Sequence, residues 1–119
     1  MDQNPVKARL ARLPARDAEA ALATAGGDAD LAAELFSALL TGLPGELDDL
    51  RGRLAESDWP GLAEHAHQLL GATRYCGVPA LDEAAGALER AARIGAPDMI
   101  AAAFTNLEAE IERVRQATD

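Results

Sequence analysis

Hydrophobic residues recur at helical spacing along most of the chain, and glycine and proline divide this pattern into segments. The longest segment, about residues 30–57, carries its leucines in one wide stripe. Pro44 lies inside it and has no N–H to donate to the Leu40 carbonyl, which predicts either a break or a kink. The stripe keeps its phase through Pro44, which favours the kink. Its members are Leu31, Leu35, Phe36, Leu39, Leu40, Leu43, Leu47, Leu50 and Leu54.

Two short helices are predicted before this long segment. The first begins near Pro5 and ends at Pro14, because proline cannot continue a helix. The second covers about residues 16–25 and runs into two glycines, which accept the left-handed conformation of a C-terminal cap. Asp28 follows the glycines and is placed to cap the long helix.

The helix after the long segment contains both histidines of the chain. Asp58 is placed to cap it, and Pro60 lies in its first turn, where the missing N–H does no harm. The periodic pattern carries this helix to Tyr75, and Gly77 closes it. It is therefore predicted as a helix of four to five turns.

Two more amphipathic helices complete the pattern. One opens at Pro79 and ends near Gly95, and the last opens at Pro97. Four substantial amphipathic helices with short connections predict an all-α, antiparallel four-helix bundle with short additional N-terminal helices. In the last helix the apolar positions are Ile100, Ala103, Phe104, Leu107, Ile111 and Val114, and the polar positions between them are Glu108, Glu110, Glu112, Arg113 and Arg115.

Composition agrees with helices that pack through small and medium side chains. Apolar residues make up 49% of the chain but aromatic residues only 3%. A length of 119 residues fits one domain with one core. We predict a single domain over residues 1–119, with an N-terminal extension at 1–15 and the bundle core at about 28–117.

Charge and the remaining composition exclude several classes of function. A net charge of −9 opposes binding to a phosphate backbone, so no nucleic-acid partner is expected. Cys76 is the single cysteine, which rules out an internal disulfide. No apolar run resembles a membrane span, so we expect no direct membrane contact and a cytoplasmic location, either as a separate protein or as a part of a larger membrane protein.

The histidine helix divides into a core side and an outward strip. At about 100° per residue, His67 and Gly71 point away from the side that carries Leu62 and Leu69. The same count places Leu70 on the shoulder between core and solvent, where it is expected to be partly exposed and to line a docking surface. The outward strip contains Glu64, His67, Gly71 and Arg74.

An exposed imidazole on this strip is a candidate nucleophile for a phosphoryl group. Gly71 lies one turn further along and costs the helix about 1 kcal/mol against alanine, a cost that close approach of a partner would explain. From the residues alone, a solvated surface residue is the favoured interpretation of His67. His65 and His67 do not form a metal pair, because residues i and i+2 point to different sides of a helix, and no metal site is expected. Cys76 reads as a small core residue.

At these positions the chain resembles a histidine phosphotransfer (Hpt) domain. That family has a histidine, a leucine two positions later, and glycines four and ten positions after the histidine, which His67, Leu69, Gly71 and Gly77 match. The run over residues 71–79 is similar to the C-terminal Hpt domain of GacS/BarA-type hybrid sensor kinases. The resemblance extends through Gly26-Gly27-Asp28, Asp58-Trp59, Leu88-Glu89 and the final helix.

The resemblance implies a phosphocarrier rather than an enzyme. His67 would accept a phosphoryl group from a receiver-domain aspartate and pass it to a second receiver, with magnesium supplied by the receiver and no cofactor of its own. The domain would be a monomer. The implied contacts with the phosphate and the docked receiver come from Glu64, Gln68, Leu70, Gly71 and Arg74. The family has lysine or histidine where this chain has Leu70, and Arg74 is the candidate replacement.

Three alternatives differ from phosphotransfer in class. Leu70 in place of a polar residue is compatible with an adaptor that docks receivers without efficient transfer. A structural bundle that oligomerises through exposed leucines is a second alternative. A hydrolytic enzyme is disfavoured, because the outward strip lacks a carboxylate pair, a nucleophile with its base, or metal ligands in chelating register.

Overall fold

A computed structural model describes residues 5–117, and these form six α-helices joined by short loops. The predicted all-α class is confirmed. Residues 1–4 and 118–119 of the predicted domain lie outside the described residues. The helices are α1 (Pro5–Ala11), α2 (Ala18–Thr24), α3 (Ala29–Ala55), α4 (Trp59–Thr73), α5 (Pro79–Ile94) and α6 (Pro97–Gln116).

Aspartate side chains begin three of these helices. Asp17, Asp28 and Asp58 each accept a hydrogen bond, 2.9–3.0 Å long, from a backbone N–H at the start of α2, α3 and α4. Each bond satisfies one of the N–H groups that a helix start leaves without a partner. Gly95 ends α5 in the left-handed conformation, at φ 78°. The predicted caps at Asp28 and Asp58 and the predicted end near Gly95 are therefore confirmed.

The long helix α3 passes through Pro44 without a break. Of the two outcomes predicted at this proline, the break is therefore wrong. The helix ends at Ala55, slightly earlier than the pattern predicts, and Ser57 then adopts a positive φ of 54° before α4 begins. The N-terminal Leu31 of the predicted apolar stripe is exposed.

Helices α3 to α6 form the predicted antiparallel bundle. Consecutive helices pack side by side, and α3 also contacts α6, which closes the ring. Cross-helix contacts show the antiparallel directions: Thr73 near the end of α4 bonds Asp82 near the start of α5, while His67 further back on α4 meets Glu89 further along α5. The shared core includes Leu43, Leu50, Leu62, Leu69, Leu81, Leu88, Ile100, Leu107 and Val114, all fully buried.

The N-terminal helix α1 lies against the outside of the bundle. The Arg113 guanidinium donates hydrogen bonds to the carbonyls of Leu10 and Leu13, at 3.3 and 2.8 Å, and so satisfies acceptors at the C-terminal end of α1. Glu110 holds that guanidinium at 2.8 Å and is buried. The expectation that Glu110 lies on the polar face of the last helix is wrong, because α1 and Arg113 cover it.

None of the helices within residues 5–117 combines the length and apolar composition needed to cross a bilayer.

Candidate functional site

His67 projects from the outward side of α4 toward α5. Its side chain is 54% exposed, and its Nδ1 lies 3.2 Å from both carboxylate oxygens of Glu89. The antiparallel packing of α4 and α5 brings these two residues together although 22 positions separate them in the chain. One ring nitrogen of His67 is therefore held by the protein.

Glu89 is the buried member of this pair, with only 15% of its side chain exposed. Arg93, one turn further along α5, donates to Glu89 Oε2 from Nε at 2.9 Å and from Nη2 at 2.8 Å. Burial raises the pKa of the Glu89 carboxyl, but the hydrogen bonds from Arg93 and His67 lower it by more than burial raises it. The pKa therefore lies below the ordinary 4.5. Glu89 is thus a carboxylate at neutral pH.

The protonation of the His67 ring follows from this contact. A carboxylate only accepts hydrogen bonds, so the ring nitrogen that faces Glu89 carries the proton. In the neutral imidazole the other nitrogen, Nε2, then carries a free lone pair. No group among residues 5–117 bonds Nε2 of His67. The arrangement presents a nitrogen nucleophile to solvent.

His65 has a different environment although it lies only two residues earlier. It points toward α3, is 13% exposed, and its Nε2 lies 3.0 Å from Oε2 of Glu46. The two imidazoles therefore face different neighbouring helices, as their spacing predicts. Within the part of the chain that the structure describes, no three histidine, cysteine or acidic side chains are placed to hold a metal ion.

Gly71 leaves open space next to the His67 face. An added Cβ at this glycine would meet no atom within 4 Å, so the fold itself does not require the missing side chain. Three glycines of α3 have the same open surroundings, but Gly71 lies one helical turn from His67. A partner can approach the helix backbone here. Glu64, one turn before His67, is also exposed.

Leu70 does not lie where the helical count puts it. It is 8% exposed and belongs to the core, so the expectation that it lines a docking surface is wrong. The physical reason is the close packing of α5 along α4, which covers the shoulder of the helix on that side. A buried leucine offers no polar group to a phosphate.

Gln68 and Arg74 lie to either side of the histidine. Gln68 is exposed along the groove between α3 and α4, beside Glu46. Arg74 is exposed at the end of α4, in a cleft that Asp17 and Asp82 also line. Neither residue is bonded to the His67 ring, whose contacts go to Glu89.

Sequence reasoning missed Glu89 and Arg93 as site residues. Their separation of four positions along α5, with the acidic residue first, is the spacing at which helical ion pairs form, and it was the available signal. That signal does not say which residue of another helix the pair will meet. The bundle packing supplies this information.

Comparison with known proteins agrees with the geometry. A family model described as the Hpt domain matches residues 34–117. The chain is 42% identical over 81 residues, 68% of its length, to sensor protein GacS of Pseudomonas syringae pv. syringae. It is 43% identical over 65 residues, 55% of its length, to sensor histidine kinase GacS of Pseudomonas protegens. It spans only 9% and 7% of those two proteins.

No solved structure gives a significant match to the fold. The assignment therefore depends on the sequence match, which begins at residue 34, near the start of α3, and covers the rest of the bundle and both histidines. The chain belongs to the Hpt family, the phosphocarrier domains of two-component signalling.

Proposed function

We propose that His67 accepts a phosphoryl group from the aspartyl phosphate of one receiver domain and passes it to the aspartate of another. One observation carries the proposal: Nδ1 of His67 is bonded to the half-buried Glu89 carboxylate, while Nε2 faces solvent without a partner among the described residues. In this geometry the nucleophilic nitrogen is open to an incoming phosphoryl group.

The transfer step follows from the lone pair on Nε2. Nε2 attacks the phosphorus, the N–P bond forms, and the bond between phosphorus and the receiver aspartate oxygen breaks, which returns that aspartate as a carboxylate. The proton on Nδ1 stays in place, and the positive charge that develops on the ring lies beside Glu89. Onward transfer is the reverse reaction with a second receiver, so no catalytic base is needed.

The partner supplies the rest of the chemistry. Phosphoryl transfer depends mainly on positioning and on neutralising charge. In this proposal the receiver brings the magnesium ion that neutralises the charge. The domain adds the nucleophile and a docking face around Glu64, Gly71 and Gln68, and Arg74 stays available to a docked phosphate. We further propose that it acts as a monomer and as the phosphotransfer part of a cytoplasmic signalling protein.

The test is phosphorylation by a phosphorylated receiver with magnesium, followed by chemical stability of the label. Wild-type domain should acquire an acid-labile, base-stable label, as a phosphohistidine does. His67→Gln should acquire none, because glutamine has no comparable nucleophile. His65→Gln is the matched control and should be labelled like the wild type. Label that persists in His67→Gln, or that disappears only in His65→Gln, would remove His67 from this role.

A second candidate function is an adaptor that docks receivers without efficient transfer. The burial of Leu70 favours it, because this position, one turn from His67, offers no polar group to a phosphate. Calorimetric titration with receiver, combined with the labelling assay, separates the two. Receiver binding without transfer from any phosphorylated donor would establish the adaptor.

A further inference from the structure

We propose that Arg93 is a positioning residue for the phosphoryl acceptor: its guanidinium fixes the Glu89 carboxylate, and that carboxylate in turn keeps the proton on Nδ1 of His67 and the lone pair on Nε2. The inference rests on the proposed function of His67. It assigns a role to a residue that does not touch the reacting nitrogen.

The hydrogen-bond geometry supports this role. Arg93 directs two donors, Nε and Nη2, at the same Oε2 of Glu89, at 2.9 and 2.8 Å. Two donors from one planar guanidinium restrict the carboxylate more than a single point charge would. The restricted carboxylate faces Nδ1 with both oxygens, each at 3.2 Å. Orientation therefore passes from Arg93 through Glu89 to the imidazole.

No other cation among the described residues is bonded to this carboxylate. Arg90, on the same helix, is paired with Glu83, at 3.8 Å. Arg74 is bonded to neither His67 nor Glu89. Leu70, one turn from His67, is apolar and buried. The guanidinium of Arg93 is thus the positive group that the bundle itself places next to the acceptor pair.

The exposure of Arg93 indicates what kind of effect it has. Its side chain is 55% exposed, and an exposed ion pair contributes little to folding stability. Glu89 is mostly buried, so burial alone would favour its neutral form, and a neutral carboxyl could donate to the ring instead of accepting from it. Arg93 opposes that change. We therefore expect its loss to alter the ring and leave the fold intact.

The first experiment reads the imidazole tautomer in the unphosphorylated domain from the 15N chemical shifts of His67. Wild type should show the proton on Nδ1. Arg93→Met, which keeps the chain length but has no donor, should shift the ring toward the Nε2–H tautomer, and Arg93→Lys should restore part of the wild-type signal. Arg90→Met removes one positive charge from the same helix and should change nothing. Wild-type shifts in Arg93→Met would overturn the inference.

The second experiment measures the rate of transfer from a phosphorylated receiver. Arg93→Met should slow transfer by about fivefold, somewhat less than the roughly tenfold or larger losses that follow when the direct hydrogen-bond partner of a metal-bound histidine is removed. If Arg93 acts through Glu89, the same change should alter the rate by less than about twofold in a Glu89→Ala background. An equal slowing in both backgrounds would contradict the pathway through Glu89.

The two experiments separate failure of this inference from failure of the proposed function. The tautomer measurement needs no phosphoryl transfer, so it judges the link from Arg93 to the ring even if His67 is never labelled. An unlabelled wild type with the expected tautomer shifts would refute phosphotransfer and leave the positioning intact. A labelled wild type with unchanged shifts in Arg93→Met would refute the positioning role of Arg93 and leave phosphotransfer by His67 intact.

Discussion

His65 and His67 lie on one helix, two residues apart, and each pairs with a glutamate of a neighbouring helix, yet the pairs are built in opposite ways. In the pair with Glu46 the imidazole is the less exposed partner, at 13% against 36% for the carboxylate. In the pair with Glu89 the carboxylate is the less exposed partner, at 15% against 54% for the imidazole. The first arrangement fastens α4 to α3, and the second presents a ring to solvent.

The two pairs also use different ring nitrogens. His65 contacts its glutamate through Nε2, the nitrogen at the tip of the side chain, so that tip is turned into the protein. His67 contacts its glutamate through Nδ1, which leaves the tip free. Pairing with a carboxylate therefore does not by itself decide whether the tip of a histidine is enclosed or open to solvent; the nitrogen that is bonded and the relative burial of the two partners do.

The largest expected effect comes from placing a large side chain on the surface beside His67, with the same change beside His65 as the control. Gly71→Trp should reduce the rate of transfer from a receiver by about a hundredfold, because displacing the reactants by even about 1 Å can cost that much. Gly52→Trp is the control: Gly52 also has no atom within 4 Å of an added Cβ, and it lines the surface beside His65. Stopped-flow transfer kinetics should show Gly52→Trp within about twofold of wild type. Equal losses in the two variants would show that the two faces do not differ in function.

The next largest effect is a change in the free energy of unfolding, which is expected to have opposite signs at two glycines of the same motif. Gly77 has φ +63°, and an added Cβ would lie 2.4 Å from the Asp17 carbonyl oxygen, so Gly77→Ala should lower the free energy of unfolding by about 2 kcal/mol or more. Gly71→Ala should raise it by up to about 1 kcal/mol, because alanine favours a helix and the site is open. Urea denaturation measures both. A loss of stability in Gly71→Ala would mean that the fold, and not partner access, requires that glycine.

Removing each glutamate tests whether only one histidine is oriented for chemistry. Glu89→Ala should slow transfer by about tenfold, because the ring loses the acceptor that holds its tautomer. Glu46→Ala should leave the rate unchanged, because its partner is His65, to which the proposed transfer assigns no role. Single-turnover transfer from a phosphorylated receiver reports both rates. An unaffected rate in Glu89→Ala would contradict the orienting role.

The smallest effect is a pH dependence of stability with opposite signs at two carboxyls. The pKa of Glu89 is lowered, so its contribution is present above pH 4.5 and is lost as the pH falls below that value. The pKa of Glu110 is raised, mainly by burial, so its contribution is present below pH 4.5 and is lost as the pH rises. At neutral pH the free energy of unfolding of Glu89→Gln should be about 0.5–1 kcal/mol below that of the wild type, and the difference should vanish in acid. The free energy of unfolding of Glu110→Gln should be about 0.5–1 kcal/mol above that of the wild type at neutral pH. The reverse order would contradict these pKa directions.

Local signals in the sequence were sufficient for the helices. Asp28 and Asp58 as caps, Pro79 and Pro97 as helix starts and Gly95 as a helix end are determined by backbone hydrogen bonding within a few residues. These rules depend little on the rest of the fold. The four-helix bundle could be predicted from the amphipathic patterns of the same helices.

Contacts between helices could not be predicted in the same way. A helical count gives the direction of Leu70 about the axis of α4 but not how far α5 extends around that axis, and so Leu70 was expected at the surface. Glu110 was placed on the polar face because α1 could not be docked from its sequence. The partner of His67 was missed for the same reason: register between two helices depends on the packing of the whole core.

The most direct measurement of the central claim is an NMR spectrum of the phosphorylated domain with 15N-labelled histidine. A one-bond coupling between 31P and 15N identifies the nitrogen that carries the phosphoryl group. The account predicts this coupling at Nε2 of His67, with the ring of His65 unchanged. Coupling at Nδ1 of His67, or at either nitrogen of His65, would contradict it.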